Sequence, residues 1–262
     1  MQSTFEFGTI VKHWRNRRRM SQLDLALEAD ISSRHLSFIE TGRSKPTRTM
    51  VLKIAEHLDL PLRERNGMLL AAGYSPEYRD EAGNDPQSGQ VLDMLRDLVD
   101  RMSPLPALII DGGWNLVAAN RMVGLLLTGV AAHLLAPPVN VLRLSLHPEG
   151  LAPKIRNLPV WRAHLLERLD RQLKQTDDRR LQAVTEEIRN YPDGGSLYAG
   201  EGHGPAVTLE LTMEGADLAF LSTTMVVGGP RDVVVSELAV EIFLPVDPAT
   251  RAWLDVGHQR LG

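Results

Sequence analysis

The stretch SQLDLALEADISSRHLSFIETGRSKP, residues 21–46, decides the fold of the N-terminal part of the chain. Its apolar spacing predicts two short helices joined by a tight turn and followed by a loop with two cationic side chains. In the second of these helices, Leu36 and Ile39 can face a core. The polar and aromatic side chains around these two positions then point outward, so this helix is predicted to present a face to a partner.

The outward side chains are of the types that read base edges in the major groove of DNA. They are Ser33, Arg34, Ser37 and Phe38. A guanidinium can donate two hydrogen bonds to guanine, and an aromatic ring can contact the methyl group of thymine. The pattern therefore predicts double-stranded DNA as a partner.

Residues 1–73 are predicted to form an all-α domain of five helices around that pair. Ser21 is the expected N-cap of the second helix, and Asp24 completes a capping box with it. The other helices are expected from Phe7 to Arg18, from near Ser32 to Gly42, from Thr47 or Thr49, and from Pro61 to Gly73.

The charge of the chain divides at the same place. Residues 1–72 contain 12 Lys and Arg against 8 Asp and Glu, whereas residues 73–262 contain 17 against 25. A basic first part on an acidic remainder predicts that only the N-terminal domain approaches a polyanion.

The composition excludes several classes of protein. The chain has no cysteine, which excludes disulfides and thiolate metal sites and favours a reducing cytoplasm. The N-terminus lacks a basic region followed by an apolar core, so no signal peptide is expected. No stretch reaches the roughly 18 apolar residues of a membrane span, so no membrane insertion is expected.

Residues 74–103 are predicted to be a linker and a connector helix. The linker is the polar, turn-rich segment 74–89, and the helix runs from Gln90 to Met102. Its apolar stripe requires burial against the second domain or a partner chain.

Residues 104–262 are predicted to form an α+β domain with an antiparallel sheet. A hairpin is expected around Asp111, followed by helices over 120–127 and 160–190. Three strands follow, and the last of them is expected over 233–245. Two strands, then helices, then a three-strand meander form an α+β pattern.

Residues 7–72 resemble the helix-turn-helix of the XRE, or lambda-repressor-like, family. The resemblance rests on Arg15, Gln22, Ala26, Ile31, Leu36, Ile39, Glu40, Gly42 and Pro46. It implies a multidomain protein that begins with a DNA-binding domain, in which Arg15 and Glu40 form an internal ion pair. The alternative is a helix-turn-helix that serves only as a protein-binding module.

The expected DNA contacts lie on the second and third helices and in the loop that follows them. They are Gln22, Ser32, Ser33, Arg34, Ser37, Phe38, Arg43 and Lys45. The Gln22 amide is expected to hold a phosphate oxygen. Arg43 and Lys45, with the backbone N–H groups near Gly42, are expected to grip further phosphates.

Residues 64–254 resemble MmyB-like regulators, which join such a helix-turn-helix to a PAS-like ligand-binding domain. The resemblance rests on the segments ERNGMLLAAGYSP, WNLVAANRMVGLLL, NVLRLSLHPEGLAP and GGPRDVVVSELAVEIFLPVDPAT. It implies a curled antiparallel sheet with an internal apolar pocket, and a fatty acid or similar lipophile as effector.

The side chains of the second domain suit an aliphatic ligand, because aromatic residues make up only 5% of the chain. The candidate pocket residues are Leu126, Trp161, Leu165, Phe220 and Phe243. The candidates for holding a polar head group are Asn120, Arg121, His147, Arg162 and His164. The alternative is that these residues fill a core or have structural roles.

No catalytic site, metal centre or cofactor is expected. His147 and Glu149 have no HExxH partner, and no serine has a GxSxG setting. The glycine-rich segment 194–205 lacks the Lys-Ser/Thr of a phosphate loop and is predicted to be a surface loop.

These features predict a cytoplasmic transcriptional regulator that binds an operator as a homodimer, with half-sites about 34 Å apart. A lipophilic effector is expected to modulate operator binding through the connector helix. The alternative is a constitutive DNA-binding regulator whose second domain serves only dimerisation or contacts with other proteins.

Overall fold

The computed structural model describes residues 2–80, 86–192 and 206–261, with side chains from Glu6 onward. The chain divides into two compact units. One contains Met1–Glu81, Gln172–Asp177 and Arg231–Val233, and the other contains Ala82–Arg171, Asp178–Pro230 and Val234–Gly262. The predicted loop 194–205 and the linker residues 81–85 lie outside the described residues.

The N-terminal part of the chain is helical, as predicted. Its helices are α1 (Gln2–Arg17), α2 (Gln22–Glu28), α3 (Ser33–Glu40), α4 (Arg48–His57) and α5 (Leu62–Ala71). Ser21 and Asp24 form the predicted capping box at the start of α2. Thr47, rather than Thr49, caps α4 through a hydrogen bond from the Met50 backbone N–H.

One hydrophobic core joins the five helices. Leu36 and Ile39 of α3 are fully buried in it, as their spacing predicts. Other large side chains of this core are Phe7, Val11, Trp14, Leu25, Val51, Ile54, Leu58, Met68 and Leu69. With its apolar positions committed to the core, α3 directs Ser33 and Arg34 to solvent.

The close approach of α1 to α3 depends on Gly8. A Cβ atom at this buried position would lie 2.4 Å from the backbone oxygen of Ile39 and 2.6 Å from that of Glu40. Gly67 in α5 is exposed, and nothing lies within 4 Å of the same position there. Substitution by alanine is therefore expected to have opposite effects on stability at these two glycines.

We expect Gly8→Ala to destabilise the helical unit by roughly 1–3 kcal/mol, because overpacking forces the backbone to shift. We expect Gly67→Ala to stabilise it by about 0.4–1 kcal/mol, because alanine loses less backbone entropy in a helix. Urea unfolding followed by circular dichroism compares the two variants. Equal effects of the two substitutions would contradict the predicted α1–α3 contact.

The second unit is an α+β domain built on one sheet. The helices that follow α5 along the chain are α6 (Pro86–Arg101), α7 (Arg121–Leu126), α8 (Val141–Leu146), α9 (Leu158–Gln175), α10 (Arg179–Arg189), α11 (Val233–Ser236) and α12 (Pro248–Leu261). Except for the last four residues of α9 and the first residue of α11, they belong to the second unit. Its strands are β1 (Ala107–Ile110), β2 (Leu116–Ala119), β3 (Thr208–Met213), β4 (Ala216–Val226) and β5 (Ala239–Pro245). Two short 3-10 helices cover Ala132–Leu135 and Ala152–Lys154.

The five strands form an antiparallel sheet in the order β2-β1-β5-β4-β3. The strand β5 lies at its centre, and successive side chains of a strand point to opposite faces. Val240 and Ile242 belong to a core that includes Val99 of α6. Glu241 and Phe243 therefore point to the other face, where they line a cavity.

Several predicted boundaries in this unit are wrong. Residues 233–236 form α11, so the last strand starts at Ala239 rather than at Val233. The connector helix starts at Pro86 rather than at Gln90. Residues 160–190 are helical as predicted and divide into α9 and α10, because Asp178 caps a new helix by accepting hydrogen bonds from the Arg180 and Leu181 backbone N–H groups.

The helix α12 is absent from the sequence-based prediction. Asp247 precedes it and accepts a hydrogen bond of 2.7 Å from the Thr250 backbone N–H. Pro248 takes the first helical position, where it needs no partner for an N–H group. Among the described residues, no helix combines the length and the apolar character that a membrane span requires.

Candidate functional site

The outward face of α3 holds the residues predicted to read DNA bases. Ser33 and Arg34 are exposed, and Ser37 and Phe38 are partly exposed. The Arg34 Cζ atom lies 5.4 Å from the centre of the Phe38 ring, which is within cation–π range. The predicted Ser32 caps α3 by accepting a hydrogen bond of 3.1 Å from the His35 backbone N–H.

The loop after α3 offers side chains, rather than backbone groups, to a phosphate. Arg43 and Lys45 are both exposed. The backbone N–H groups of Gly42, Arg43 and Ser44 donate instead to the carbonyl oxygens of Ile39 and Phe38, at 2.8–3.1 Å. The prediction that these N–H groups grip phosphates is therefore wrong, because they terminate α3.

Arg15 and Glu40 form an internal ion pair between α1 and α3. Arg15 Nε donates to Glu40 Oε1 at 2.7 Å, and Arg15 Nη2 donates to Oε2 at 3.0 Å. These hydrogen bonds raise the pKa of Arg15. Gln22 Nε2 also donates to Glu40 Oε2, at 2.7 Å. One amide hydrogen of Gln22 is thus held internally, which leaves its second hydrogen for the phosphate contact that the sequence predicts.

The second unit contains an apolar cavity between the sheet and the helices α7, α8 and α9. Its volume is about 80 Å³, which is small beside the roughly 300–1,000 Å³ of sites for drug-sized ligands. Its wall consists of Leu108, Trp114, Leu116, Val123, Leu126, Leu127, Val141, Leu142, Leu144, Ser145, Leu151, Trp161, Leu165, Arg168, Leu209, Ser222, Glu241 and Phe243. A ligand here must be slender or must displace side chains.

Four of the predicted ligand-binding residues line this cavity: Leu126, Trp161, Leu165 and Phe243. Phe220 does not line it. Its ring is fully buried and meets the Phe243 ring edge-on, at 6.4 Å between centres. Phe220 therefore positions a lining residue.

The predicted polar candidates Asn120 and His147 do not line the cavity either. Asn120 donates to the carbonyl oxygens of Val99 and Leu105 and accepts a hydrogen bond from the Ala107 N–H group. It therefore ties the end of α6 to β1. A buried amide needs such partners, so its role is structural.

Arg162 is likewise structural, because its guanidinium donates to the carbonyl oxygens of Ile188 and Arg189 at the end of α10. The polar wall of the cavity instead comes from residues that the sequence-based prediction missed. These are Ser145, Arg168, Ser222 and Glu241.

Glu241 and Arg168 form a buried ion pair in the cavity wall. Arg168 Nη2 lies 2.5 Å from Glu241 Oε1. Thr224 Oγ1 donates to the same oxygen at 2.7 Å, and Ser222 Oγ donates to Oε2 at 2.8 Å. Only 5% of the Glu241 side chain and 19% of the Arg168 side chain are exposed. Both oxygens of the carboxylate are thus satisfied by the protein.

The Arg168 guanidinium also packs against the ring of Trp114. The Arg168 Cζ atom lies 4.7 Å from the centre of the Trp114 ring, within the range of a cation–π contact. Trp114 has a backbone φ of 63°, a left-handed conformation that costs a bulky residue roughly 1–3 kcal/mol. The hairpin turn is thus strained at the residue that supports the charged wall.

His164 lies next to this wall without adding a charge. Its ring stacks on Trp161, with 5.5 Å between ring centres. Burial and the positive charge of Arg168 lower the pKa of His164. The ring is therefore mostly neutral at neutral pH, and among the described residues that line the cavity the charged ones are Arg168 and Glu241.

The structure brings His133 beside His147 and Glu149, a cluster that the sequence-based prediction missed. The nearest donor atoms of the three side chains all lie within 4.8 Å of one another. However, His147 Nδ1 accepts a hydrogen bond of 3.0 Å from the Glu149 backbone N–H. This bond places the proton of a neutral ring on Nε2, so neither ring nitrogen offers a free lone pair to a metal ion.

Two known families match the chain. The helix-turn-helix family matches residues 11–65, and the family described as MmyB-like transcription regulator ligand binding domain matches residues 91–256. The chain belongs to the MmyB-like transcription regulators. No curated protein matches it.

The MmyB-like match encloses the cavity and its wall, because every lining residue lies between Leu108 and Phe243. The helix-turn-helix match encloses α2, α3 and the loop with Arg43 and Lys45. With a helix-turn-helix domain and an MmyB-like ligand-binding domain, the chain is a ligand-responsive, DNA-binding transcription regulator.

Proposed function

We propose that this regulator binds a slender lipophile in the cavity of its second unit, and that occupancy of the cavity changes its affinity for an operator. The observation that carries the proposal is an apolar cavity with a small, fully paired polar wall inside the matched ligand-binding domain. Ligand sites combine such an apolar surface with a few placed polar groups.

The wall favours an aliphatic chain over a flat aromatic ring. Leucine and valine supply most of its residues, and the cavity is too small for a broad ligand. The aliphatic tail of a long-chain fatty acid has this slender, apolar shape. We propose binding, rather than catalysis, as the role of this cavity, without a resident cofactor.

A homodimer is the proposed functional form. Helices that read a major groove commonly act in pairs, on half-sites separated by about one helical turn. In α6, Val91, Leu95 and Leu98 remain partly exposed, and Met94 is 62% exposed, so this helix retains apolar surface for a second chain. Because its partner is DNA, we propose that the regulator acts in the cytoplasm.

A co-purified lipophile tests the binding proposal directly. We expect native mass spectrometry and organic extraction of the purified full-length protein to release a small lipophile. Leu127→Trp fills the cavity and should abolish its retention, whereas Leu135→Trp adds the same ring at an exposed position outside the cavity wall. Equal retention by the two variants would place the lipophile elsewhere and contradict the proposal.

Arg34 and Arg43 separate base reading from phosphate binding. We expect Arg34→Ala to cost roughly 1–3 kcal/mol of binding free energy and to relax specificity at one base position. We expect Arg43→Ala to weaken binding to all sequences alike and to lower the slope of log K against log salt by about 1. Titrations of selected and scrambled DNA across salt concentrations measure both quantities. A uniform loss for Arg34→Ala would refute its role as a base reader.

A further inference from the structure

The charges in the cavity wall cancel. Among the lining residues, Arg168 and Glu241 are the only charged ones, and they pair with each other. The Glu241 carboxylate also accepts hydrogen bonds from Ser222 and Thr224. A ligand that enters the cavity therefore meets a wall of zero net charge whose carboxylate already has its counter-ion.

A charged head group has no counter-ion of its own in this site. A ligand carboxylate would share the single guanidinium of Arg168 with Glu241, at a distance where two carboxylates repel each other. If Arg168 turned to the ligand, the buried Glu241 would keep two hydroxyl donors but lose its cation. Either arrangement buries one negative charge in excess, which is costly beside an apolar wall.

A cationic head group meets the reverse problem. An ammonium would face the Arg168 guanidinium, and the Glu241 oxygens that could stabilise it are already bonded. An uncharged oxygen avoids both costs. A hydroxyl, amide or ester group needs only a hydrogen-bond partner. Ser145 Oγ accepts a hydrogen bond from Trp161 Nε1 and still has its own proton to donate, and Ser222 Oγ donates to Glu241 and can still accept.

We propose that the cavity selects an uncharged lipophile, such as a long-chain alcohol, amide or ester, over the free fatty acid or the amine of the same chain length. The proposal rests on the proposed function, because it concerns the head group of the ligand that this cavity binds. Arg168 and Glu241 together would then determine the selectivity of the cavity for the charge of the ligand head group.

The test compares three ligands that share one chain and differ in charge: lauryl alcohol, laurate and laurylamine. Each is titrated into the full-length protein below its micelle-forming concentration. Trp114 and Trp161 line the cavity, so their fluorescence reports binding. We expect the alcohol to bind at least about tenfold more tightly than either ion.

Glu241→Gln is the variant that isolates the charge. The substitution keeps the shape of the side chain and an oxygen acceptor for the two hydroxyl donors, but it leaves Arg168 without a counter-ion. The ratio of laurate affinity to alcohol affinity should then rise by at least about tenfold. Circular dichroism checks that the variant is folded. If it is not, the comparison of the three ligands on wild-type protein still tests the proposal.

The outcomes distinguish this inference from the function on which it rests. If laurate binds wild-type protein as tightly as the alcohol, head-group selection by charge is wrong, while lipophile binding stands. An unchanged affinity ratio in folded Glu241→Gln would also overturn the inference. If none of the three ligands binds, both proposals fail.

Discussion

Replacing Arg168 by methionine is expected to lower the free energy of unfolding of the second unit by about 3–5 kcal/mol. The substitution leaves Glu241, which is 4% exposed, as a buried carboxylate without its cation. Two hydroxyl donors remain to it, but hydroxyl groups carry no counter-charge. Urea unfolding followed by tryptophan fluorescence and circular dichroism measures the loss.

The double variant Arg168→Met with Glu241→Gln is the control for that prediction. Removing both charges should recover most of the lost stability, because replacing a buried pair by neutral groups is often nearly neutral in free energy. Arg96→Met breaks an exposed pair with Asp93 in the same unit and should cost about 0–1 kcal/mol. A loss for Arg168→Met no larger than that for Arg96→Met would contradict the buried pair.

Replacing Arg15 by methionine is expected to destabilise the helical unit by about 3–5 kcal/mol. Only 2% of the Glu40 side chain is exposed, and the substitution leaves it a hydrogen bond from the neutral Gln22 amide. Because the pair joins α1 to α3, the loss should reach the position of the DNA-reading helix. DNA affinity should therefore fall together with stability.

Arg48 provides the matched control in the same unit. Arg48 pairs with Glu77, and 42% of each side chain is exposed. Solvent screens such a pair, so Arg48→Met should cost about 0–1 kcal/mol. Thermal unfolding of the two variants, measured side by side, gives the comparison. Similar unfolding temperatures would show that the Arg15–Glu40 pair contributes no more than a surface pair.

The helical unit was predictable because its signals are local. Leu36 and Ile39 at a spacing of three residues place one face of α3 in the core, and the opposite face follows from the geometry of a helix. Capping residues such as Ser21 and Thr47 act within one turn, so the sequence shows both partners. The prediction for the backbone N–H groups after α3 is wrong although its signal is local, because α3 was expected to end at Gly42 and these groups bond to that helix end.

The sheet was predictable in outline but not in its boundaries. The run 233–245 is uniformly apolar at first, and such a run fits a helical turn as well as a strand. The helix α12 does carry a sequence signal, since Asp247 and Pro248 form an N-cap followed by a first-turn proline. The strand order β2-β1-β5-β4-β3 depends on contacts between distant segments, which no local pattern specifies.

The cavity was predictable through its apolar residues but not through its polar ones. Trp161 and Leu165 share a helix face, and Arg168 is seven residues after Trp161 on that same face. Glu241 interrupts an otherwise apolar strand. These two positions carried a signal as charged residues in apolar surroundings, but their pairing depends on the packing of α9 against β5. Asn120 and His147 are polar residues in the segments that resemble the family. Asn120 bonds to residues 13–21 positions away, so its structural role depends on the fold. His147 instead accepts its hydrogen bond from Glu149, two residues later.

Operator affinity with the cavity empty and with the cavity filled tests the central claim most directly. A DNA site is first selected from a random pool by the full-length protein. Its dissociation constant is then measured for protein stripped of co-purified lipophile, with and without saturating lauryl alcohol, while tryptophan fluorescence verifies occupancy of the cavity. A ligand-responsive regulator predicts a change of at least about fivefold. An unchanged dissociation constant with the cavity shown to be occupied would contradict the account.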